Sequence, residues 1–178
     1  MAQLAISKAR LFLIAAAVVL LSIALRLFLP PSVSSSAQLS TSDEAIERGE
    51  YLVIAGGCIS CHRGEEDEES FIGGLALETD FGTFFAPNIT PDMETGIGSW
   101  QAEDFLLALK HGRKPGGSFY YPAFPFRAYA GLSDQDAVDI GSYLMSLDPK
   151  ANSVPDAQTP LWLNRWAMAG WNLMADIS

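Results

Sequence analysis

Five consecutive residues in this chain have the types and spacing needed to hold an iron porphyrin. Cys58, Cys61 and His62 read Cys-x-x-Cys-His, with Ile59 and Ser60 between the cysteines. Two thiols three positions apart on one helical turn can each add to one of the two vinyl groups of a porphyrin, and the following imidazole can ligate its iron. The motif therefore predicts one covalently attached haem c, bonded to Cys58 and Cys61, with His62 as the proximal iron ligand.

Two other chemistries use a Cys-x-x-Cys pair. A thioredoxin-like dithiol lies at a strand-to-helix turn of a βαβ unit, and no such alternation follows the motif. A zinc site needs two further ligands, but the chain has only two cysteines and one other histidine, His111. No acid–base or nucleophile–base pair stands out either. The residues therefore favour an electron carrier, or an electron-transfer subunit of an oxidoreductase complex, over an enzyme.

The first 31 residues predict a membrane anchor. Lys8 and Arg10 precede an apolar run from Leu11 to Leu25, and Arg26 interrupts it before three more apolar residues. With Arg26 reaching the headgroups, the segment approaches the ~20 residues that a membrane-spanning helix needs. The basic end is then expected in the cytoplasm.

A cleaved signal peptide is the alternative to an anchor. Ser35-Ser36-Ala37 resembles a small-residue cleavage site. In both cases the rest of the chain is exported. The expected location is the inner (cytoplasmic) membrane, as a single-pass protein with its haem domain in the periplasm.

The charge of the chain constrains its partners. The chain has 11 Lys and Arg residues and 21 Asp and Glu residues, which gives a formal charge of −10. Every acidic residue lies after residue 42. An acidic surface excludes nucleic acid as a partner. It favours redox partners with basic docking patches. Residues 65–69 are five successive acidic residues, which predict a solvated loop, or else a docking patch or weak cation site.

Composition and periodicity divide the chain into four parts. Residues 1–31 are the anchor or signal peptide, 32–40 a flexible polar linker, 41–150 the haem domain and 151–178 a C-terminal extension. Helical periodicity predicts one helix before the motif, a second from Ser99 to His111 and a third capped by Ser133. Thr41 and Glu44 predict a capping box for the first helix. The tryptophan-rich extension predicts a helix that packs on protein or lies in a membrane interface.

Several further motifs accompany the Cys-x-x-Cys-His sequence. They are Gly73-Gly74, Gly82-Thr83, Pro87-Asn88-Ile89-Thr90-Pro91-Asp92, Thr95-Gly96-Ile97-Gly98, Trp100 and Tyr121-Pro122-Ala123. With them, the chain from about Thr41 to Leu147 resembles a class I cytochrome c. More narrowly, it is similar to the membrane-bound cytochrome c subunits of bacterial alcohol, gluconate and isoquinoline-type dehydrogenases.

The resemblance implies a fold. It is an all-α class I cytochrome c fold, here with an N-terminal transmembrane helix and a C-terminal Trp-rich helical extension. In that family a small residue on the first helix packs against an aromatic residue on the last. Gly49 and Tyr143 match these two positions.

The sequence departs from the family at the sixth ligand of the iron. The family often places its distal methionine in a Pro-Ala-Met-Pro segment, but this chain has Phe124 between Ala123 and Pro125. His111, Met93 and Met145 are the remaining candidates. A five-coordinate iron, or one bound by water or by a partner's residue, is equally open.

Two functions follow from the motif and the resemblance. The first is a membrane-anchored monohaem c-type cytochrome that relays single electrons on the periplasmic side, as subunit or partner of a respiratory dehydrogenase, quinol oxidase or terminal oxidase. The second is a haem protein with an open or weakly ligated distal site that binds a small ligand. An apolar pocket around Phe124 would suit this second function.

Overall fold

Helices supply most of the secondary structure in the described part of the chain. The computed structural model describes residues 7–29, 31–33, 35–64, 70–165 and 167–176. In chain order the helices are α1 (Lys8–Phe28), α2 (Asp43–Ala55), α3 (Cys58–His62), α4 (Ala102–His111), α5 (Phe126–Tyr129), α6 (Asp134–Ser146) and α7 (Ala167–Asp176). Two strands, β1 (Ala76–Thr79) and β2 (Gly82–Phe85), lie between α3 and α4.

The two strands correct the predicted all-α fold class. β1 and β2 form an antiparallel hairpin in which Ala76 faces Phe85 and Thr79 faces Gly82. The sequence pattern here favours short extended pieces around turns but does not specify their pairing. Thr83 also exchanges two backbone hydrogen bonds with Gln158, of 2.8 and 3.1 Å. This second contact joins residues far apart in the sequence, so no local pattern predicts it.

The predicted membrane anchor is also wrong. Across the described residues, no helix combines the length and the apolar character needed to cross a bilayer. The charge-free part of α1, between Arg10 and Arg26, is shorter than the ~20 apolar residues that a span requires. The sequence interpretation had counted the residues beyond Arg26 into the span. The expected N-terminal transmembrane helix and single-pass inner-membrane location, with a periplasmic haem domain, are therefore not supported.

Helices α2 and α6 cross at very close range. A β-carbon added at Gly49 of α2 would lie 2.0 Å from the Asp139 backbone oxygen and 2.8 Å from the Tyr143 β-carbon. The predicted pairing of Gly49 with Tyr143 is therefore confirmed. The buried Asp139 carboxylate lies at this crossing and accepts hydrogen bonds of 2.8 Å from Arg48 Nε and Gln135 Nε2. These bonds offset the cost of burying a charge.

The helix ends follow the sequence signals with small displacements. Ser42, rather than Thr41, caps α2, because its side chain accepts a hydrogen bond from the backbone N–H of Ala45. Helix α4 begins at Ala102 instead of Ser99, after a capping box between Gln101 and Asp104. The predicted Ser133 cap of α6 is confirmed.

The hydrophobic core lies where α2, α4 and α6 meet. Its buried members are apolar side chains from these helices and the loop before α4 (Val53, Ile97, Ala102, Phe105, Leu106, Leu109, Ala137, Val138, Ile140 and Leu144). The end of the linker also contacts this core. Leu39 packs against it, and the Ser40 N–H donates a hydrogen bond to Ser142 Oγ over 3.0 Å. The end of the linker thus lies against α6.

The C-terminal extension packs on the hairpin side of the domain. Leu163, Met168 and Ala169 form a second buried cluster with Phe84 and Phe119. Of the two predicted placements of the extension, on protein or in a membrane interface, packing on protein fits these residues. Trp166 lies outside the described residues, and the helix that was predicted from residue 161 begins at Ala167.

A larger residue at position 49 tests the helix crossing. We expect Gly49→Ala to lower the free energy of unfolding by about 1–3 kcal/mol, because the new methyl group overlaps the α6 backbone. Gly170→Ala is the matched control, since Gly170 is also helical and has no atom within 4 Å of an added β-carbon. The control should be neutral or stabilising by up to about 1 kcal/mol. Chemical denaturation measures the free energy of unfolding of both variants. Equal values for Gly49→Ala and Gly170→Ala would contradict the close approach of α2 and α6 at Gly49.

Candidate functional site

The Cys-x-x-Cys-His motif forms a short helix of its own. Helix α2 ends at Gly56, and Gly57 turns the chain with a φ of 66°, in the left-handed region that favours glycine. Helix α3 then carries Cys58, Cys61 and His62. Both thiols are free and partly exposed. One turn of helix thus presents two thiols and an imidazole together, as the spacing predicted.

These three side chains line a cavity of about 610 Å³. Most of the other lining residues are apolar or aromatic, and they come from the hairpin and the loop after it, α4 and the loop after it, α5, α6 and the C-terminal extension. They include Leu77, Phe84, Ile97, Trp100, Phe105, Leu109, Tyr120, Tyr121, Phe124, Tyr129, Ile140 and Leu144. A largely apolar cavity with two thiols and one imidazole on its wall fits the chemistry of a covalently attached porphyrin.

The His62 ring is held by one hydrogen bond. Its Nδ1 lies 2.8 Å from the Pro87 carbonyl oxygen, so Nδ1 carries the proton and donates. The other nitrogen, Nε2, is then the one with a free lone pair for a metal. Burial lowers the pKa of His62, which favours the neutral form that ligates iron.

The Gly73-Gly74 motif brings the Pro87 segment close to His62. The Gly73 N–H donates to the His62 carbonyl oxygen over 2.8 Å. A β-carbon at Gly73 would lie 2.5 Å from the Pro87 oxygen, and the φ of this residue is 69°. Only glycine fits this position without strain. The motif therefore allows the two chain segments to approach the imidazole together.

The buried Asn88 side chain fixes the segment that carries the Pro87 carbonyl. Its Nδ2 donates to the Lys150 carbonyl oxygen over 2.8 Å and to Thr95 Oγ1 over 3.1 Å. Its Oδ1 accepts from the Thr90 N–H over 2.9 Å and from the Thr90 hydroxyl over 2.8 Å. The side chain thus joins the loop after the hairpin to the chain beyond α6. It positions the Pro87 carbonyl indirectly.

The cysteine end of the cavity is closed by Tyr129 of α5. A β-carbon at Gly56 would lie 3.3 Å from the Tyr129 ring and 3.7 Å from Cys58 Sγ. The Tyr129 hydroxyl donates to the Gly56 carbonyl oxygen over 2.9 Å. Burial raises the pKa of the Cys58 thiol. Cys58 and the Tyr129 ring thus both lie close to Gly56, and Cys58 is partly buried there.

The three candidates for the distal ligand do not reach this cavity. Met93 is 70% exposed, His111 lies at the exposed end of α4 and Met145 is half-buried on α6, and none of them is among the lining residues. Phe124 does line the cavity and stacks on Tyr129, with ring centroids 6.0 Å apart. The residue that departs from the family pattern thus lies in the site itself.

Sequence reasoning did not identify several residues of the cavity wall. Tyr120, Tyr129, Lys114 and Arg165 all line the cavity. Tyr120, Tyr121 and Tyr129 lie within residues 113–131, a long segment rich in aromatic residues. Its length and composition could have indicated that these residues belong to the site. Nothing local pointed to Arg165, because it belongs to the extension and returns to the cavity from far along the chain.

The family comparison agrees with this geometry. The sequence profile of the cytochrome c family matches residues 46–148. This chain belongs to the cytochrome c family. Membership in this family implies covalently bound haem c. The predicted resemblance to cytochrome c subunits of dehydrogenases is also confirmed. Relatives that share this domain are named as cytochrome c subunits of dehydrogenases, which agrees with the predicted electron-transfer role.

Relatives of this cytochrome c include several dehydrogenase subunits. It is 41% identical over 167 residues to a diheme cytochrome c-type protein of Cereibacter sphaeroides, over 89% of this chain and 56% of the relative. It is 39% identical over 142 residues to the gluconate 2-dehydrogenase cytochrome c subunit of Pantoea cypripedii, over 79% and 32%. It is 38% identical over 143 residues to the alcohol dehydrogenase (quinone) cytochrome c subunit of Gluconobacter oxydans, over 78% and 30%.

The lengths of the relatives differ from that of this chain. It spans little more than half of the first relative and about a third of the other two. The family match of residues 46–148 lies inside the predicted haem domain of residues 41–150. The other predicted domain boundaries stay predictions.

Removing the Asn88 side chain tests the support behind His62. We expect Asn88→Ala to lower the free energy of unfolding of this cytochrome c by about 1–3 kcal/mol, because it removes four hydrogen bonds from a buried network. Asn172→Ala, on the half-exposed face of α7, is the matched control and should change stability little. Thermal or denaturant unfolding gives both values. A loss for Asn88→Ala no larger than that of the control would contradict the role of this network.

Proposed function

We propose that this cytochrome c carries one haem c and relays single electrons as a subunit or partner of a dehydrogenase. The observation that carries the proposal is the shared cavity. Cys58, Cys61 and His62 lie on one turn of helix and face a largely apolar space of about 610 Å³. The chain contains one Cys-x-x-Cys-His motif and no other cysteine, which supports a single haem.

Each residue of the motif has a distinct role in this proposal. Cys58 and Cys61 would form the two thioether bonds that fix the porphyrin in the cavity. His62 Nε2 would ligate the iron, while the Pro87 carbonyl accepts a hydrogen bond from Nδ1–H and orients the imidazole. Haem iron held in this way accepts and donates one electron at a time. The largely apolar wall would limit the access of water to a bound haem.

The proposed partner is a dehydrogenase. Relatives named as cytochrome subunits of gluconate and alcohol dehydrogenases match most of this chain. A formal charge of −10 suits a partner with a basic docking patch, because opposite charges steer association. A quinol oxidase or terminal oxidase is the alternative partner.

Cysteine substitutions test the covalent attachment. We expect the haem of the wild-type protein to stay with the polypeptide after denaturation in acidic acetone, because thioether bonds survive unfolding. Cys58→Ser and Cys61→Ser should each retain haem through the other cysteine, with a shifted pyridine haemochrome band. The double variant should release all of its haem. Full retention by the double variant would contradict attachment at these residues.

An open distal position is the second candidate function. Phe124 lines the cavity, whereas His111, Met93 and Met145 do not. A phenylalanine ring cannot bind iron, so its position favours a site that admits a small ligand. In this alternative the aromatic residues Phe124, Tyr120 and Tyr129 would surround the ligand.

Carbon monoxide separates the two functions. For the open site we expect the ferrous protein to be high-spin and its Soret band to shift when carbon monoxide is added. Phe124→Met restores the Pro-Ala-Met-Pro sequence and should abolish that shift, because a thioether then occupies the sixth position. Phe124→Leu is the control and should bind carbon monoxide like the wild type. A low-spin spectrum of the wild-type protein that does not change when carbon monoxide is added would exclude the open site.

A further inference from the structure

Two cations lie on the wall of the cavity, against the overall charge of the protein. Lys114 and Arg165 both line the cavity, and Asp156 is the one acidic residue among the described lining residues. The protein as a whole carries a formal charge of −10. A locally positive wall in a strongly acidic protein indicates a site for negative charge.

Both cations are held by the aromatic loop that follows α4. The Arg165 guanidinium donates to the Phe119 carbonyl oxygen over 2.9 Å and lies 4.7 Å from the centre of the Tyr121 ring. Lys114 Nζ lies 5.8 Å from the centre of the neighbouring Tyr120 ring. Among the contacts of the described residues, the bond to Phe119 uses one of the five N–H donors of Arg165. Donors of this guanidinium that make no such contact could bind an anion in the cavity.

The nearby Arg165 disfavours the charged form of Lys114. Burial lowers the pKa of Lys114, and the nearby Arg165 lowers it further, while Asp156 acts in the opposite direction. Two like charges at a partly buried wall are unfavourable by themselves. An anion bound by both side chains would offset the repulsion between Lys114 and Arg165.

The proposed haem supplies negative charge at the required place. Its two carboxylates lie on the edge opposite the two vinyl groups, and Cys58 and Cys61 would bind the vinyl edge. The thiols lie on α3, whereas Lys114 and Arg165 lie beside the rings of Tyr120 and Tyr121 in the loop after α4. The thiols and the cations thus line the same cavity from different elements of the chain.

We propose that Lys114 and Arg165 bind the haem carboxylates, so that a residue of the C-terminal extension completes the haem site. This inference rests on the haem attachment proposed above. Arg165 lies beyond the family match, which ends at residue 148. Guanidinium groups suit carboxylates because their N–H donors match both oxygens. The extension is then part of the cofactor site as well as a cover for the hairpin.

The reduction potential of the haem tests this role. A cation near the haem disfavours the ferric form, which carries one more positive charge than the ferrous form. Arg165→Gln and Lys114→Gln should therefore each lower the midpoint potential, while Arg165→Lys should stay closer to the wild type. The measurement is redox titration of the visible bands of the purified full chain, after haem content has been checked by pyridine haemochrome.

Matched controls separate a local role from a general loss of charge. Arg127→Gln removes an exposed arginine that also donates to a backbone carbonyl, that of Asn172, and lies near the Phe126 ring. Lys110→Gln removes a lysine that pairs with Asp134. Neither residue lines the cavity, so both controls should keep the wild-type potential.

The outcomes distinguish this inference from the proposed function. If Arg165→Gln and Lys114→Gln contain haem but keep the wild-type potential, the carboxylate site is overturned while the attachment stands. The same holds if they shift no more than the controls. If the wild-type protein contains no covalent haem, the proposed function itself fails. Should Arg165→Gln not fold, Lys114→Gln decides the test, since its side chain makes no backbone hydrogen bond among the described contacts.

Discussion

The close crossing of α2 and α6 at Gly49 is the contact on which the rest of the structure depends. With no side chain at this position, the α6 backbone at Asp139 approaches α2 directly. Helix α2 runs from this crossing to Gly56-Gly57, where the chain turns into α3. The position of the crossing therefore sets where the two thiols and the imidazole lie relative to α6. A shift of α2 along α6 would move all three together.

The remaining wall of the cavity is built by segments that are far apart in the sequence. The loop after the hairpin brings the Pro87 carbonyl to His62, and Asn88 fastens that loop to the chain beyond α6. The extension pairs with β2 through Gln158 and delivers Arg165 to the same cavity. Arg165 of the extension thus lines the same cavity as residues of the family domain. If Arg165 binds the haem carboxylates as proposed, this tail serves cofactor binding as well as packing.

Local chemistry made the centre of the site predictable. The residues Cys58, Cys61 and His62 carry their function in their types and spacing, and the structure places them on one helical turn. The Gly49–Tyr143 contact was predicted from the family resemblance and is confirmed. The pairing of β2 with Gln158 and the position of Arg165 were not predicted, because both depend on contacts between segments far apart in the sequence. The membrane helix was predicted wrongly, because hydropathy was summed across Arg26.

The central claim is that the cavity beside α3 holds one haem bonded to this chain. The most direct measurement is the intact mass of the full-length protein, produced together with a cytochrome c maturation system and analysed under denaturing conditions. The account predicts a mass greater than that of the polypeptide by one haem. A mass equal to that of the polypeptide alone, from protein whose folding has been verified, would contradict it.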